Sequence, residues 1–388
     1  MSGYEVELAR ARRDIGALEV MIGRNERALE LRVRLAYRQF HLASLTEDEV
    51  EFERLGKLIT TLIDDFGPLE DVCLLKANVD ARFHRLDEAR QDLSMCPPLV
   101  QRRAGRAILA EVDFQQGRYA EARHAFAMLA EQERTWDVLA RLAHWESKLG
   151  DPDEADRLYE EAEDQLTAKE MRSFAWVELQ RGDLALARGR FTNAQAHYQR
   201  AAAAFPGHWL TDQRDAALRI AEGKAHIAEA LLRSVIPRCP KPELKQALGE
   251  LLTSLGKTEE ARGWLEKAAA AFLKSVQEGG VHYYHHLAEL YADGLGQPAE
   301  AVRWARKDIA QRSNFSTQSM LAWTLLKNGE IAEGLRWIRV ALASGVRDAG
   351  VFATAAALCR ASGDAANGEQ YDRAAVAINP TRQHVHIH

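Results

Sequence analysis

Residues 247–269, ALGELLTSLGKTEEARGWLEKAA, contain the pattern that decides the fold. Gly256 separates two amphipathic stretches, and glycine readily takes the left-handed conformation that ends a helix. The small residues Gly249, Ala261 and Ala268 allow two helices to cross closely, because larger side chains would force their axes apart. Leu252 and Leu265 are left to bury against neighbouring elements. This stretch therefore predicts a hairpin of two α-helices.

The same pattern recurs along the chain at intervals near 34 residues. Glycine is followed five residues later by alanine, or by a second glycine, in GRYAEA from Gly117, GDPDEA from Gly150, GRFTNA from Gly189, GKAHIA from Gly223, GKTEEA from Gly256, GQPAEA from Gly296, GEIAEG from Gly329 and GDAANG from Gly363. A copy without the glycine, HRLDEA, spans His84–Ala89. A regular period of this length predicts a solenoid of stacked helix pairs.

This pattern resembles the tetratricopeptide repeat (TPR). The C-terminal part of the chain is similar to bacterial TPR proteins. In that family small residues occupy unit positions 8, 20 and 27, glycine is common at 15 and proline at 32. The Gly189 copy matches with Gly182, Ala194, Ala201 and Pro206. The resemblance covers roughly residues 69–380. It implies an all-α fold, a right-handed superhelical solenoid of antiparallel helix pairs with a concave groove.

The chain is expected to divide into three parts. Residues 1–66 fit the repeat poorly and are predicted to form an N-terminal helical cap or degenerate repeats, with Thr46 and Glu49 spaced as a helix capping box. Residues 67–380 are predicted to form an array of about eight to nine TPR units. Residues 381–388 form a histidine-bearing C-terminal tail.

The resemblance also implies which side chains line the groove, because ligands of the family meet the first helix of each unit at positions 2, 5, 9, 12 and 13. These positions predict a binding set of Asn78, Arg82, Glu111, His144, Lys148, Asp183, Glu250, Glu289, Trp323 and Lys327. The set carries both signs of charge. Leu74 stands where the carboxylate clamp of chaperone-binding relatives needs a lysine, which disfavours a chaperone-tail partner. A protein scaffold or adaptor that binds a peptide or protein segment is the predicted function.

Two groups of histidines suggest a divalent metal as an alternative. If a helix begins at His282, then His282, His285 and Glu289 share one face, with His286 beside them. In the last five residues, HVHIH, His384, His386 and His388 alternate and would point to one side of an extended chain. Imidazole suits copper, nickel or zinc. Packing or polar contacts for the first group, and a solvated tail for the second, remain open.

Composition excludes several other functions. The net charge of −6 argues against nucleic-acid or anionic-membrane partners, which need a basic surface. No run of about 18 apolar residues predicts a membrane span. The N-terminus lacks a secretory signal, so a cytoplasmic protein is expected, or a periplasmic one if a leader precedes Met1.

Cys73, Cys96, Cys239 and Cys359 form no CxxC pair, and no catalytic or phosphate-binding motif occurs. We expect neither an enzyme nor a resident cofactor.

Overall fold

The computed structural model describes residues 2–25 and 28–381, and these residues are almost entirely helical. Within them lie 22 α-helices and one π-helical turn, Leu290–Gly294, which directly follows α17. The helices are α1 (Gly3–Arg24), α2 (Leu29–Thr46), α3 (Glu49–Phe66), α4 (Glu70–Arg82), α5 (Leu86–Ser94), α6 (Pro97–Gln101), α7 (Arg103–Gln115), α8 (Tyr119–Gln132), α9 (Trp136–Leu149), α10 (Pro152–Asp164), α11 (Met171–Ala187), α12 (Phe191–Ala204), α13 (Trp209–Ala221), α14 (Ala225–Val235), α15 (Pro242–Ser254), α16 (Thr258–Gln277), α17 (Tyr284–Glu289), α18 (Pro298–Gln311), α19 (Phe315–Lys327), α20 (Ile331–Ala343), α21 (Ala349–Ala361) and α22 (Ala365–Ile378).

Consecutive helices pair as antiparallel hairpins that stack side by side. The pairs are α2 with α3, α4 with α5, α7 with α8, α9 with α10, α11 with α12, α13 with α14, α15 with α16, α17 with α18, α19 with α20, and α21 with α22. The prediction of an all-α, TPR-like solenoid is confirmed. Within the described residues, no helix is long and apolar enough to cross a membrane.

Small residues lie where the two helices of a hairpin approach most closely. A Cβ atom added at Gly182 would lie 2.2 Å from the ring of Tyr198, and one at Gly249 would lie 2.7 Å from the side chain of Leu265. Ala261 is also buried. Larger side chains at these positions would push the paired helices apart, as the sequence pattern predicts.

The unit centred on Gly296 holds one residue more than its neighbours. When its segment Leu287–Tyr291 is aligned with the other units, Gly296 falls one position beyond the place of their glycines. The π-helical turn Leu290–Gly294 accommodates this extra residue, because a π-turn widens the helix by one residue without breaking it.

Asp48, rather than Thr46, caps the third helix. Its carboxylate accepts a hydrogen bond from the backbone N–H of Val50, whereas Thr46 is the last residue of α2. Glu47 between them adopts a left-handed conformation with φ of 53°. The predicted capping box is therefore wrong in register, because α2 extends further than the sequence suggests.

The two halves of the chain touch along a line of contacts that the repeat pattern does not predict. We call the turn inside a hairpin a corner. Corners of the first half meet segments of the second half that connect two hairpins or follow the last one. The pairs are Leu45 with Trp209, Phe83 with His282, Gln115 with Asn314, Lys148 with Arg347, and Gly189 with Asn379. We call this line of contacts the seam. The residues it joins are far apart in sequence, by 164 positions for the first pair and 199 for the third.

Aromatic packing and backbone hydrogen bonds stabilise the middle of the seam. The ring centroid of Phe315 lies 5.8 Å from that of Tyr119 and 6.5 Å from that of Phe114. The Phe315 backbone N–H donates to the Tyr119 hydroxyl at 2.7 Å, and the Asn314 amide donates to the Gln115 carbonyl at 2.8 Å. Successive turns of the superhelix are thus held edge to edge by apolar as well as polar contacts.

Candidate binding groove

Four of the predicted groove residues form one cluster on three successive first helices. Glu111 lies on α7, His144 and Lys148 lie on α9, and Asp183 lies on α11. Glu111 and Lys148 both act electrostatically on His144, and Lys148 also acts on Asp183. All four side chains are partly accessible to water. The structure therefore brings together residues that are 72 positions apart in the sequence, from 111 to 183.

Burial and neighbouring charges shift the pKa values of His144 and Asp183 in this cluster. Burial lowers the pKa of His144; nearby Glu111 opposes this shift, and Lys148 adds to it. The imidazole is therefore neutral at neutral pH and can both donate and accept a hydrogen bond. Burial raises the pKa of Asp183, although Arg214 partly offsets this effect.

Two further predicted groove residues, Trp323 and Lys327, meet around Asp293. The Trp323 indole N–H donates to Asp293 Oδ2 at 2.8 Å, and Lys327 Nζ lies 2.9 Å from Asp293 Oδ1. The Lys327 ammonium also lies 5.0 Å from the centroid of the Trp323 ring, within range of a cation–π contact. This aromatic side chain is half-buried and keeps part of its surface in solvent.

Asn78 and Arg82 are held by contacts of their own. The Asn78 amide donates to the Leu74 carbonyl one turn earlier in α4, at 3.0 Å. Arg82 forms an ion pair with Glu47, and its guanidinium carbon lies 5.4 Å from the centroid of the Phe52 ring. Leu74 thus offers Asn78 a backbone acceptor at the place where the clamp of chaperone-binding relatives has a lysine side chain.

Glu250 and Glu289 are joined by a buried amide. Gln246 donates to Glu250 Oε1 at 2.8 Å and to Glu289 Oε2 at 3.1 Å. Glu289 is only 4% exposed. It therefore faces the packed interior between two units, although the sequence predicts it at the groove surface.

The histidines at 282, 285 and 286 do not converge on one point. Helix α17 begins at Tyr284, so His282 precedes the helix and the predicted one-face spacing does not form. Instead, the His282 ring packs against Phe83 across the seam, with centroids 4.7 Å apart.

His285 and His286 have separate environments. His285 Nδ1 lies 3.1 Å from Asp308 Oδ2, and the His286 ring stacks on Phe272 with centroids 5.5 Å apart. Among residues 2–25 and 28–381, no group of three histidine, cysteine or acidic side chains is placed to hold a metal ion. The predicted tail ligands, His384, His386 and His388, lie outside the described residues, and that prediction remains as stated.

The structure adds a cleft at α2 that the sequence did not reveal. Counted back from the left-handed corner at Glu47, α2 places Tyr37, His41 and Ser44 at unit positions 5, 9 and 12. They line a cleft of about 500 Å³ together with Arg38, Phe40 and Arg172. The signal was hidden because a glutamate occupies the corner that glycine marks in most other units.

Arg172 and His41 hold the floor of this cleft together. The Arg172 guanidinium donates to His41 Nδ1 at 3.0 Å and to the Ser44 carbonyl at 3.3 Å. Because a guanidinium can only donate, His41 Nδ1 acts as the acceptor. The proton of the neutral ring is then on Nε2, which lies 3.0 Å from Glu7 Oε1.

A pair of tryptophans lies beside the cleft. Trp176 is 40% exposed, and its ring meets that of Trp136 edge-on with centroids 6.2 Å apart. Trp176 occupies position 2 of its unit, a groove position, so the register alone could have identified it. Arg172 lies one helical turn before it on the same face of α11.

Comparisons with known proteins find similar chains only among solved structures. Neither the family models nor the curated proteins compared with the chain give a match. Among solved structures, the crystal structure of the APC/C hetero-tetramer Cut9–Hcn1 is similar, with a TM-score of 0.47 and 14% identity over 92% of this chain and 77% of that one. The structure of PilF from Pseudomonas aeruginosa is similar with a TM-score of 0.33 and 18% identity over 53% of this chain and 90% of that one. The chain is a TPR-like helical repeat protein.

Proposed function

We propose that this chain is a non-catalytic scaffold or adaptor whose concave groove binds a segment of a partner protein. The observation that carries the proposal is the cluster of Glu111, His144, Lys148 and Asp183. These partly accessible side chains come from three successive helices, and Lys148 acts electrostatically on both His144 and Asp183. The repeat register gives them positions that ligands contact in TPR proteins. Such a row of groups spaced along stacked helices suits an extended chain better than a compact small molecule.

The charges of the groove favour a protein partner of mixed charge. Glu111 and Asp183 are acidic, Lys148 is basic, and His144 is neutral with both a donor and an acceptor. A ligand that complements this order would be selected by its charge pattern, because like charges placed opposite each other cost several kcal/mol. A nucleic acid would instead need a groove dominated by positive charge.

A charge reversal in the groove, compared with the same change on the outer surface, tests the proposal. Random peptides displayed on phage are selected against the full chain, and the enriched peptides are synthesised for dissociation constants by fluorescence anisotropy. Glu111→Lys is expected to weaken their binding about tenfold, or about 1.4 kcal/mol. The control is Glu259→Lys, at an exposed residue of α16, and it should stay within about twofold.

The outcomes separate clearly. Peptides that bind the Glu111→Lys protein as tightly as the wild-type protein do not use this groove, and such a result contradicts the proposal. A selection that enriches no peptide at all contradicts it as well. Circular dichroism of both variants confirms that the helical fold is intact.

A further inference from the structure

Two cysteine thiols lie in contact where the hairpin of α4 and α5 ends. Cys73 lies on α4, and Cys96 lies in the turn that joins α5 to α6. Their Sγ atoms are 3.4 Å apart. A disulfide bond is about 2.05 Å long, so the two sulfur atoms need to approach by only about 1.4 Å to form one.

One cysteine of the pair is held in a helix, and the other lies in a turn that can adjust. Cys73 is fully buried inside α4, whereas Cys96 lies between helices and is 6% exposed. The residues beside Cys96 are exposed to water; they are Met95, Pro97 and Pro98. A small change in this exposed turn can therefore bring the two sulfur atoms together, and a dissolved oxidant reaches Cys96 before Cys73.

The other two cysteines lie elsewhere in the fold. Cys73 and Cys96 pack in one apolar cluster. Cys239 packs in another, and its Sγ atom lies 3.9 Å from the Thr46 carbonyl oxygen. Cys359 lies on α21, in the last hairpin. The four thiols are thus one contacting pair and two that can serve as internal controls for its chemistry.

Protonation decides which thiol of the pair reacts first. Burial, together with a hydrogen bond to Cys96 and the charge of that neighbour, raises the pKa of Cys73 to about 12. Cys73 is therefore a neutral thiol at neutral pH, and a thiolate is the form that attacks an oxidant. Cys96, the more accessible of the two, is the residue that starts the reaction.

We propose that Cys73 and Cys96 are a redox modification site and form a reversible disulfide when the protein meets a peroxide. In the first step Cys96 releases its proton to water and its sulfur attacks the peroxide. A sulfur–oxygen bond forms, the oxygen–oxygen bond breaks, and the departing oxygen takes up a proton to leave as water or an alcohol. In the second step the Cys73 sulfur attacks the Cys96 sulfenic acid, and the Cys73 proton leaves with the hydroxyl group as water. The peroxide is reduced and the two thiols are oxidised; a dithiol reverses the change.

The disulfide joins α4 covalently to the start of α6 and closes a loop over residues 73–96. α4 carries the predicted groove residues Asn78 and Arg82, and the corner after it contributes Phe83 to the seam. A crosslink stabilises a fold chiefly because it restricts the unfolded chain. The oxidised protein should therefore melt at a higher temperature than the reduced one. This inference goes beyond the proposed function and does not depend on it.

Oxidation of the full chain with hydrogen peroxide tests the inference. The protein is reduced with dithiothreitol, freed of the reductant and treated with peroxide. We expect two of the four thiols to disappear, with loss of two hydrogen atoms from the intact mass, and both thiols to return with dithiothreitol. Tryptic digestion without reductant should yield the peptide of residues 58–76, which contains Cys73, linked to that of residues 91–102, which contains Cys96.

Alanine variants identify the pair. Cys96→Ala should abolish the loss of two thiols and the rise in melting temperature, and Cys73→Ala should do the same. The matched control carries Cys239→Ala and Cys359→Ala together, and it should form the disulfide as the wild-type protein does. Circular dichroism of each variant checks that its helical fold is intact.

Met95 shows when the peroxide has reached this turn, because its thioether is 38% exposed and gains an oxygen atom on oxidation. The peroxide concentration is raised until Met95 is oxidised. Four intact thiols at that point overturn the inference. So does an oxygen adduct on Cys96 without a link to Cys73, and so does a link that forms only after unfolding in urea, because the inference requires the contact of the folded chain.

Discussion

Gly117 and Gly329 occupy the same position in their units and nearly the same backbone conformation, with φ of 79° and 82°. Their surroundings differ completely. A Cβ atom at Gly117 would lie 2.3 Å from the carbonyl oxygen of Ser313 across the seam, whereas one at Gly329 would meet no atom within 4 Å. One glycine therefore ends a helix and also permits close approach of another turn, while the other only ends a helix.

The same contrast holds for the two sets of corners. Corners of the first half pack against the second half along the seam, as Gly189 does against Asn379. The glycines at the corners of the second half face open space; these open corners are Gly223, Gly256, Gly296, Gly329 and Gly363. A repeated motif thus has two structural roles, and its place in the superhelix decides between them.

The largest expected effect comes from removing a seam tryptophan. Trp209 is 3% exposed, and its indole N–H donates to the Leu45 carbonyl at 3.0 Å. Trp209→Ala should lower the free energy of unfolding by about 3–5 kcal/mol, because it leaves a cavity and removes a hydrogen bond to the Leu45 carbonyl, which keeps only the bond from the Tyr4 hydroxyl. Urea denaturation measures the loss. The control is Trp264→Ala on α16, a half-buried residue away from the seam, with an expected loss of about 1 kcal/mol; equal losses would show that the seam adds no stability.

An intermediate loss of stability is expected at Gly117, and it should exceed the loss from the same substitution at Gly329. Both Gly117→Ala and Gly329→Ala force alanine into a left-handed conformation, at about 1–2 kcal/mol. Gly117→Ala also drives a methyl group into the Ser313 carbonyl, so its total loss should reach about 3 kcal/mol. Thermal and urea unfolding of the two proteins provide the comparison. If Gly117→Ala proves no worse than Gly329→Ala, the two halves separate there at little cost.

The smallest effect is a pH dependence at Asp308, which binds Arg312, a side chain that reaches His84 across the seam. Burial raises the pKa of Asp308, but Arg312 and His285 outweigh this and bring it to about 2. This value is below the ordinary value of 3.8, so ionised Asp308 stabilises the fold above about pH 4, and this contribution is lost as the pH falls through about 2. Asp308→Asn should therefore cost about 1–2 kcal/mol at pH 7.

The stability difference between the variant and the wild-type protein should shrink as the pH falls below about 4 and be mostly lost near pH 2, where Asp308 is about half protonated. Urea unfolding at a series of pH values follows this convergence. Asp164→Asn, at an exposed position of α10, is the control and should run parallel to the wild-type protein. A constant difference between Asp308→Asn and the wild-type protein at every pH would rule out the ionic contribution.

The solenoid could be predicted from the sequence because residues within each single repeat unit specify the helix hairpin. Gly182 and Gly249 mark close crossings within single hairpins, and the 34-residue period sets the stacking. The register also brought Glu111, His144, Lys148 and Asp183 into one cluster, since equivalent positions in neighbouring units face the same side.

Predictions from single repeat units failed where a unit departs from the common pattern. Helix α17 starts only at Tyr284, which leaves His282 outside the helix, where its ring packs against Phe83 across the seam. Glu47 replaced glycine at a corner, which hid the groove face of α2 with Tyr37 and His41. The seam itself could not be predicted, because the pairing of Gln115 with Asn314 depends on the accumulated pitch of many units rather than on any single motif.

The seam also changes how this chain is expected to unfold. In an ordinary repeat array each unit contacts only its neighbours, so end units can fray one by one. Here residues 199 positions apart are bonded, and closing such long loops carries an entropic cost that is recovered only when both halves are folded. Loss of a hairpin in the first half removes partners from the second. The array therefore gains the all-or-none cooperativity of a globular domain, and its folding should be slower than that of an open solenoid of equal length.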